Sequence, residues 1–519
     1  MKAMQVLKYP VGVQSFESIR EGAYLYVDKT KFIYDLVMSG KSYFLSRPRR
    51  FGKSLLLSTI ETFFKGRREL FDGLYIAGKE WEWNEYPVLH LDLSIQNYRS
   101  SSELVQILSN TLDVWEERYD ITHDHTLTVS IRFSNLIRKI AEKCGRQVVI
   151  LVDEYDQPLL KSLTAQELQD ELRLELQTFF SVIKAEDRYV RFVMLTGVSK
   201  FSKISIFSGL NNLNDISLDA RYNNICGITS EELDNYFAEG IIQFAITKKQ
   251  SVQEIRRQLK EDYDGYHFSV SGDDIYNPFS ILNAFDKKSF GEYWFGSGTP
   301  TMLVELLKSK AYVLSEISGC RCRESELAGS DVFLDNPIPI LYQSGYLTIK
   351  DYDDRFGEYI LDYPNREVRE GFVNFLAPFY LPQKNFSGFS ISKLVRAVEQ
   401  GDADAFMEII QSFFADFPYD RLGNLEVHYQ NVMYIIMKLM GFYIRTEYKT
   451  SRGRIDLLIK TSEYIYVIEL KLHGTAEDAI HQIEEKGYCK PFKSDKREII
   501  CIGAAFDEQT HELSNYIIA

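Results

Sequence analysis

The sequence predicts an α/β protein whose first part is built around a parallel β-sheet with helices on both faces. Two continuous apolar, β-branched runs, Gln147–Val152 and Tyr189–Thr196, are typical of parallel strands that are buried on both faces. Segments with helical spacing of apolar residues separate the predicted strands, which indicates a series of βαβ units. From about residue 228 the pattern becomes mainly helical, and from about residue 424 helix and strand alternate again.

Composition is that of a globular protein with more than one domain. The 519 residues exceed what one ordinary core organises, and 45% of them are hydrophobic and 26% charged. A net charge of -14 argues against a generally basic, DNA-coating surface, although a local basic groove is compatible with it. Scattered cysteines, no apolar leader and no bilayer-length apolar run predict free thiols in a soluble protein of the cytoplasm.

The first predicted domain covers residues 1–227. After a short lead-in, a helix is predicted over Lys29–Met38, because its apolar residues recur at helical spacing. The compact apolar strand Ser42–Ser46 follows, then a basic turn and an apolar helix that starts at Lys53. Pro87–Ser94 is predicted as the second strand of the sheet, ahead of the two buried runs.

Three further regions follow the first domain. Thr229-Ser-Glu-Glu232 has the spacing of a capping box and opens a helical, winged-helix-like middle domain over residues 228–350, with a small wing at Gly345–Lys350. Residues 351–423 are predicted as a helical connector. Residues 424–519 are predicted as a smaller α/β domain.

The turn after the first strand has the composition of a phosphate cradle. It reads Ser46-Arg-Pro-Arg-Arg-Phe-Gly-Lys-Ser54 and joins a strand to a helix, where backbone N–H groups and a helix N-terminus can face an anion. Gly52 allows the close turn, Lys53 can reach the β- and γ-phosphates of a nucleotide, and Ser54 can ligate magnesium.

One position departs from the full phosphate-loop pattern, which has glycine where Arg47 stands. The loop is therefore expected to curl differently, with Arg47, Arg49 or Arg50 supplying charge where glycine would supply backbone. The plainer alternative is a basic strand–helix turn that contains Gly-Lys-Ser by chance.

An acidic pair, Asp153 and Glu154, directly follows the buried run that ends at Val152. Carboxylates at the end of a buried strand are costly without a partner, and magnesium is the natural partner for Asp153. Glu154 is placed to polarise an attacking water. With the loop, this pair predicts binding of ATP with Mg²⁺, while ATP hydrolysis and ATP binding without hydrolysis both stay open.

The next buried strand ends in polar residues. Thr196 and Ser199 lie where a polar group can sense the γ-phosphate, and Lys200 adds positive charge nearby. A simple strand-end turn accounts for the same residues equally well.

A second group of charged residues lies on two predicted strands near the C-terminus. Glu469 and Lys471 are two residues apart on one strand and so point to the same face. If the two strands pair as a hairpin, Asp456 can sit beside them. Two carboxylates and a lysine at a sheet edge can hold Mg²⁺ and orient a water for phosphodiester cleavage.

The helices on either side of this hairpin offer further candidates. Glu426 can add a third carboxylate, and Gln482 and Lys486 can meet a nucleic-acid backbone. The alternative is an amphipathic hairpin with a solvent-facing Glu–Lys pair, since Glu-x-Lys alone is a weak signal.

Taken together, the motifs resemble those of the AAA-ATPase-like family, whose members usually carry a C-terminal PD-(D/E)XK nuclease-like domain. The resemblance spans nearly the whole chain and rests on Tyr26–Thr30, Phe44–Ser54, Asp153–Asp156, Leu195–Val198, Gly453–Asp456 and Glu469–Lys471. The proline of the superfamily name is replaced by Ile455, a change that is frequent in that superfamily.

The resemblance implies a P-loop NTPase fold for the first domain and a restriction-endonuclease-like α/β fold for the last. It implies that arginine in place of the first loop glycine is typical of the family. It also implies that Lys53 and Ser54 contact phosphates, that Asp153 holds magnesium, and that the nuclease core consists of Asp456, Glu469 and Lys471.

We therefore predict an ATP-binding, ATP-hydrolysing protein coupled to a metal-dependent nuclease, with ATP and Mg²⁺ as cofactors and DNA or RNA as partner. Membrane association is not expected, and a homo-oligomer is compatible with the sequence. The alternative is an ATP-driven regulatory switch whose C-terminal domain binds nucleic acid or a partner without cleavage. The predicted catalytic residues are Glu154, Asp456, Glu469 and Lys471; the nucleotide-binding residues are Arg49, Arg50, Gly52, Lys53, Ser54 and Thr196; and the metal ligands are Ser54, Asp153, Asp456 and Glu469.

Overall fold

The structure of the chain is a computed structural model. It describes residues 8–94, 98–162, 165–200, 212–297, 301–328, 336–381, 388–415, 425–441, 445–448, 456–507 and 512–519. Two compact units can be distinguished. The first unit comprises Met1–Met302 and Ser318–Val368, and the second comprises Leu303–Ile317 and Arg369–Ala519.

In chain order, the α-helices of the described residues are α1 (Phe16–Glu21), α2 (Thr30–Ser39), α3 (Lys53–Phe64), α4 (Ser101–Arg118), α5 (Val129–Cys144), α6 (Gln157–Lys161), α7 (Gln166–Ala185), α8 (Ser230–Tyr236), α9 (Ala238–Lys248), α10 (Val252–Tyr263), α11 (Pro278–Lys287), α12 (Thr301–Ser309), α13 (Glu324–Ala328), α14 (Ile338–Ser344), α15 (Arg366–Tyr380), α16 (Gly388–Gln400), α17 (Ala403–Ala415), α18 (Leu425–Gly441) and α19 (Ala476–Lys486).

The β-strands of the same residues are β1 (Ser42–Ser46), β2 (Val88–Asp92), β3 (Val148–Asp153), β4 (Val190–Gly197), β5 (Asn214–Asp215), β6 (Ile228–Thr229), β7 (Ile275–Tyr276), β8 (Cys320–Arg323), β9 (Thr348–Asp353), β10 (Glu358–Asp362), β11 (Arg445–Tyr448), β12 (Leu457–Lys460), β13 (Tyr464–Lys471), β14 (Glu498–Phe506) and β15 (Leu513–Ile518).

The first unit contains the predicted parallel sheet, with strand order β2-β3-β4-β1-β5. Each neighbouring pair in this sheet is parallel. All six residues of β3 are buried, so both faces of that strand are covered, as the continuous apolar run predicts. Because β4 lies between β1 and β3, the strand before the basic loop and the strand that ends in the acidic pair are not direct neighbours.

The remainder of the first unit combines helices with short antiparallel strands. Residues 351–423 were predicted as a helical connector, but they contain the end of β9 and all of β10, in which alternate residues are buried as in a strand with one covered face. Helix α8 begins with the predicted capping box, in which Thr229 and Glu232 satisfy each other's backbone N–H groups. Helices α8 to α11 share one apolar cluster that includes Phe237, Phe244 and Phe285. The predicted wing coincides with the start of β9, which belongs to an antiparallel sheet of order β8-β10-β9.

The second unit holds a mixed sheet of order β11-β12-β13-β14-β15. The predicted hairpin is present, because β12 and β13 pair antiparallel, while β13 and β14 are parallel and joined through α19. An apolar cluster that includes Leu458, Ile483 and Tyr488 fills the space between this sheet and α19. In the described part of the chain, none of the helices combines the length and apolar character needed to cross a bilayer.

Candidate nucleotide and metal sites

The basic loop between β1 and α3 has the backbone shape of a phosphate cradle. Gly52 directly precedes α3 and has φ +92°, a left-handed conformation that side-chain-bearing residues rarely adopt. A Cβ atom at Gly52 would meet nothing within 4 Å, so the backbone angle and not lack of space favours glycine there. The N–H groups of the first turn of an α-helix have no acceptor within the helix, and in α3 that turn directly follows the basic loop.

Lys53 is folded back into the loop that precedes it. Its Nζ atom lies 3.1 Å from the carbonyl oxygen of Arg47, 3.2 Å from that of Pro48 and 3.3 Å from Oε1 of Glu154. Only 3% of its side chain is exposed. The ammonium group is thus held at the centre of the loop, beside the acidic strand end.

Asp153 lies at the end of β3 and meets two hydroxyl groups. Oγ of Ser54 donates to Oδ2 at 2.5 Å, and Oγ1 of Thr196 donates to Oδ1 at 2.6 Å. The backbone N–H of Glu154 also donates to Oδ1, at 3.0 Å. A carboxylate and a hydroxyl oxygen in direct contact form a donor set of the kind that Mg²⁺ prefers, so Ser54 and Asp153 fit a magnesium site.

Thr196, one of the two residues considered as γ-phosphate sensors, is fully buried behind Asp153. Its hydroxyl donates to that carboxylate, which orients Asp153 toward Ser54. Ser199 instead bonds Asp156 through both its N–H and its hydroxyl, and Lys200 forms an ion pair with Asp215 at 3.2 Å. The structure therefore brings only Thr196 of these three residues against Asp153.

Glu154 has a strained backbone and a cationic partner. Its φ of +52° is unusual for a residue other than glycine, and such outliers cluster at functional sites. Burial by itself would raise the pKa of Glu154, but Lys53, a hydrogen bond from Gln157 and the charge of Arg49 together hold that pKa below its ordinary value. Glu154 is therefore ionised at neutral pH, as a residue that polarises water must be.

The three loop arginines occupy different environments. Arg47 is only 1% exposed, and its guanidinium donates to the carbonyl oxygens of Ser46, Ser217 and Tyr222. Its charge is turned away from the cavity, and its role in the structure is to tie the loop to a neighbouring segment. Arg49 and Arg50 do line the cavity beside the loop.

This cavity measures about 350 Å³ and gathers residues from distant parts of the chain. Besides the predicted residues, segments around Gly12 and Phe279 line it, and sequence reasoning missed both because no local motif marks them. Asp92 was also missed, although it ends β2 in register with Asp153 and shows the same strand-end signal.

A further missed residue is Asp156, which is fully buried behind the acidic pair. It accepts hydrogen bonds from the N–H groups of Val198 and Ser199 and from the hydroxyl of Ser199. Burial and the neighbouring charge of Glu154 raise the pKa of Asp156 to about 6. Its hydrogen bonds join the end of β3 to the residues that follow β4.

The second site lies on β13 and at the start of the hairpin. Oδ2 of Asp456 accepts the backbone N–H of Leu470 at 3.1 Å, which holds the two carboxylates on adjacent chain segments. Nζ of Lys471 lies 3.7 Å from Oε1 of Glu469. Gln482, from α19, bridges the pair, because it donates to Glu469 and accepts from Lys471.

Glu469 is in an unfavourable environment for a carboxylate. It is 3% exposed, and its Oε2 atom has no hydrogen-bond partner among the described residues. Burial, and then repulsion from Asp456, raise the pKa of Glu469 to about 7 despite the charge of Lys471. Burial also raises the pKa of Asp456. Such a pair fits a divalent cation, which would satisfy the orphaned oxygen and favour both ionised forms.

Not every residue predicted for this site belongs to the part of the chain that the structure describes. The side chain of Glu426 and the segment Gly453–Ile455 lie outside the described residues. Lys486 is exposed in the last turn of α19. Of the two helix residues predicted to meet nucleic acid, Gln482 is the one that the structure brings to the carboxylate pair.

Known proteins are similar to this chain over both sites. Residues 10–207 match the sequence profile of a family described as predicted AAA-ATPase, and residues 424–515 match the PD-(D/E)XK nuclease superfamily. A relative from Azotobacter chroococcum mcd 1, described as "Uncharacterized protein in vnfD 5'region", is 36% identical over 523 residues, which cover 98% of each chain. The chain therefore belongs to the AAA-ATPase-like family and carries a PD-(D/E)XK nuclease superfamily domain at its C-terminus.

Proposed function

We propose that the chain binds and hydrolyses ATP in its first unit and cleaves nucleic acid phosphodiesters with a divalent cation in its second. The observation that carries the nuclease proposal is the carboxylate pair beside Lys471, in which Asp456 is half-buried and Glu469 is buried with its Oε2 atom left unsatisfied among the described residues. The ATPase proposal is supported by the contact of Ser54 with Asp153 and by the central position of Lys53.

In the proposed ATPase site, each residue has one task. When a nucleotide binds, the ammonium group of Lys53 leaves the loop carbonyl oxygens and binds the β- and γ-phosphates. Hydrogen bonds to the charged phosphate oxygens are stronger than those to neutral carbonyl oxygens. Ser54 and Asp153 would hold Mg²⁺, which neutralises phosphate charge when bound. Once Lys53 has turned to the phosphates, Glu154 is free to orient the attacking water. The aromatic ring of Phe279 offers a surface for the nucleoside.

In the proposed nuclease site, Asp456 and Glu469 would hold the cation. When bound, the cation polarises the phosphate and lowers the pKa of a water molecule. Lys471 supplies positive charge on the same face of β13, where it can stabilise the anionic transition state. Gln482 positions both Glu469 and Lys471 through its amide group.

The experiment that tests the proposal measures cleavage of single- and double-stranded DNA and RNA by the full chain. Reactions contain Mg²⁺ or Mn²⁺, with and without ATP, beside the Glu469→Ala variant. Cleavage that needs the cation and is lost in the variant supports the nuclease, and a response to ATP supports control by the first unit. No cleavage of any substrate, with ATP still bound, would contradict the nuclease.

A regulatory switch is the second candidate, and the net charge of -14 favours it because strong nonspecific affinity for nucleic acid is not expected. In that case ATP binding changes the conformation, and the C-terminal domain binds its partner without cutting. Cation titration separates the two candidates. A nuclease centre binds Mn²⁺ through Asp456 and Glu469, whereas a binding domain has no need of the cation.

Cation binding at this site is expected to tighten as the pH rises through about 7. Since the pKa of Glu469 is raised to about 7, the carboxyl group must first lose a proton before it can ligate a metal. Below that pH we expect up to about tenfold weaker Mn²⁺ binding per pH unit, measured by calorimetry. Affinity that stays constant over this range would contradict the assignment.

The same group has the opposite effect on stability. A glutamate with a raised pKa in the folded state contributes stability below its ordinary pKa and loses that contribution as pH rises through about 7. Glu367, in the first unit, also has a pKa raised to about 7 by burial. The pH dependence of wild-type stability alone therefore cannot be assigned to Glu469. The difference in thermal midpoint between wild type and Glu469→Gln isolates the contribution of Glu469.

Trp294 is expected to report nucleotide binding. Its indole Nε1 donates to the carbonyl oxygen of Arg49, inside the phosphate loop, at 3.1 Å. Trp294→Phe keeps an aromatic ring against Tyr346 but removes this bond, worth about 1 kcal/mol, so ATP binding should weaken about fivefold. Intrinsic fluorescence should respond to ATP in wild type and in the control Trp83→Phe, but not in Trp294→Phe. An unchanged affinity and response would rule out this coupling.

A further inference from the structure

Two cysteines of the second unit lie in contact with each other. Sγ of Cys489 is 3.1 Å from Sγ of Cys501. Cys489 follows α19, whereas Cys501 lies in β14 opposite Val467 of β13. Both side chains are partly exposed at the rim of the apolar cluster under α19. A small oxidant can therefore reach the pair.

The pair needs little movement to form a covalent bond. A disulfide has a sulfur–sulfur distance of about 2.05 Å, so the two atoms are about 1 Å from bonding distance.

The other pair of cysteines that are close in sequence, Cys320 and Cys322, lies on β8 with one residue between them. Neighbours at this spacing lie along one face of an extended strand, with Cα atoms about 6.5 Å apart. Their thiols differ in environment, because Cys322 is buried and Cys320 is partly exposed.

We propose that Cys489 and Cys501 form a redox-sensitive site, which hydrogen peroxide converts into a disulfide within the second unit. The sulfur of Cys489 attacks the peroxide, whose O–O bond breaks, and a sulfenic acid and one water result. The sulfur of Cys501 then attacks this sulfenic acid, and a second water leaves. In total two S–H bonds and one O–O bond break, one S–S bond and two O–H bonds form, and two electrons pass from the thiols to the peroxide.

The environment of Cys501 disfavours it as the thiol that reacts first. Burial, and then the adjacent Cys489, raise the pKa of Cys501 to about 12. The thiolate is the reactive form of cysteine, so Cys501 is the poorer first nucleophile. Its contact with Cys489 nevertheless places it to resolve the sulfenic acid as soon as that acid forms.

The disulfide would anchor the exit of α19 to β14. Tyr488 directly precedes Cys489, and its hydroxyl lies 3.3 Å from Nε2 of Gln482, the residue that bridges Glu469 and Lys471. Oxidation therefore holds in place the segment that supports Gln482. Any effect on cation binding depends on the proposed nuclease function, but disulfide formation itself does not.

The test uses the full chain, with and without stoichiometric hydrogen peroxide, followed by alkylation, proteolysis and mass spectrometry without reduction. We expect a cross-linked peptide pair that contains Cys489 and Cys501, with a loss of two hydrogen atoms, reversible by dithiothreitol. Slower hydrogen exchange is expected at the amides that follow Gly487. Because the bond closes a loop, the unfolding midpoint of the second unit should rise by about 5 °C.

Matched variants make the assignment specific. Cys489→Ser and Cys501→Ser should each abolish the cross-link, while Cys144→Ser, an exposed cysteine elsewhere, should leave it intact. Two alkylated thiols after oxidation would overturn the proposal, as would a cross-link between other cysteines or between two chains. The wild-type measurement is decisive even if a serine variant fails to fold. If the unoxidised protein shows no nuclease activity, that result contradicts the proposed nuclease function and leaves the disulfide proposal unaffected.

Discussion

Lys53→Ala is expected to abolish measurable ATP binding. In the structure, the ammonium group of Lys53 is held among the loop carbonyls and beside Glu154, where it can turn to the phosphates of a nucleotide. Two charge-assisted hydrogen bonds to phosphate are together worth about 3 kcal/mol or more, so affinity should fall at least about 100-fold. Calorimetric titration with ATP and Mg²⁺ measures this loss.

Two further variants show whether the loss is specific. Lys65→Ala removes the same side chain at the other end of α3, where Lys65 pairs with Glu61 near the surface, and should bind ATP normally. Glu154→Gln keeps the size and one hydrogen-bonding oxygen of the side chain. It should therefore bind ATP but lose turnover by about 100-fold or more, since it no longer activates water. Full ATP affinity in Lys53→Ala would contradict the assignment of the loop.

Glu469→Gln is expected to remove cation-dependent cleavage and to make the second unit more stable. The amide is a poor metal ligand, so activity should fall by about three orders of magnitude. At the same time, a neutral side chain ends the repulsion from Asp456 and the burial of a charge, so the thermal midpoint above pH 7 should rise. Gain of stability with loss of activity is typical of a site shaped for function.

The measurement combines a cleavage assay in Mn²⁺ with thermal unfolding of the same preparations. Asp456→Ala should lose cleavage to a similar extent. Glu463→Gln is the matched control, because Glu463 lies in the exposed turn of the same hairpin and should leave both activity and stability unchanged. If Asp456→Ala and Glu469→Gln both retained cleavage, the nuclease assignment would be wrong.

Several parts of the fold were predictable because their signals are local. The strand Ser42–Ser46 has the predicted bounds, and α3 begins at Lys53 as expected. Both were predictable because the signals for the strand, the turn and the helix start lie in consecutive residues. The helix predicted over Lys29–Met38 is Thr30–Ser39. The capping box at Thr229 formed because its partners lie three residues apart, whatever the rest of the chain does.

The site was predictable only in part. Strand-end reasoning indicated Asp153, and period-two spacing placed Glu469 and Lys471 on one face of β13. Sequence reasoning did not indicate that Arg47 is buried. Two of the three carbonyl oxygens that accept hydrogen bonds from its guanidinium belong to Ser217 and Tyr222, far along the chain. Apolar burial of an arginine is also the exception, so no composition rule predicts it.

By itself, then, the sequence indicated β1 to β4, the basic loop before α3 and the two acidic strand ends, because each depends on neighbouring residues. Only the tertiary structure decided which of these groups meet. The strand order β2-β3-β4-β1-β5 inserts β4 between the loop strand and the acidic strand, and this puts Thr196 against Asp153. The packing of α19 on β13 likewise brings Gln482 to Glu469. Contacts between distant segments depend on the burial of whole faces, a property that no short motif carries.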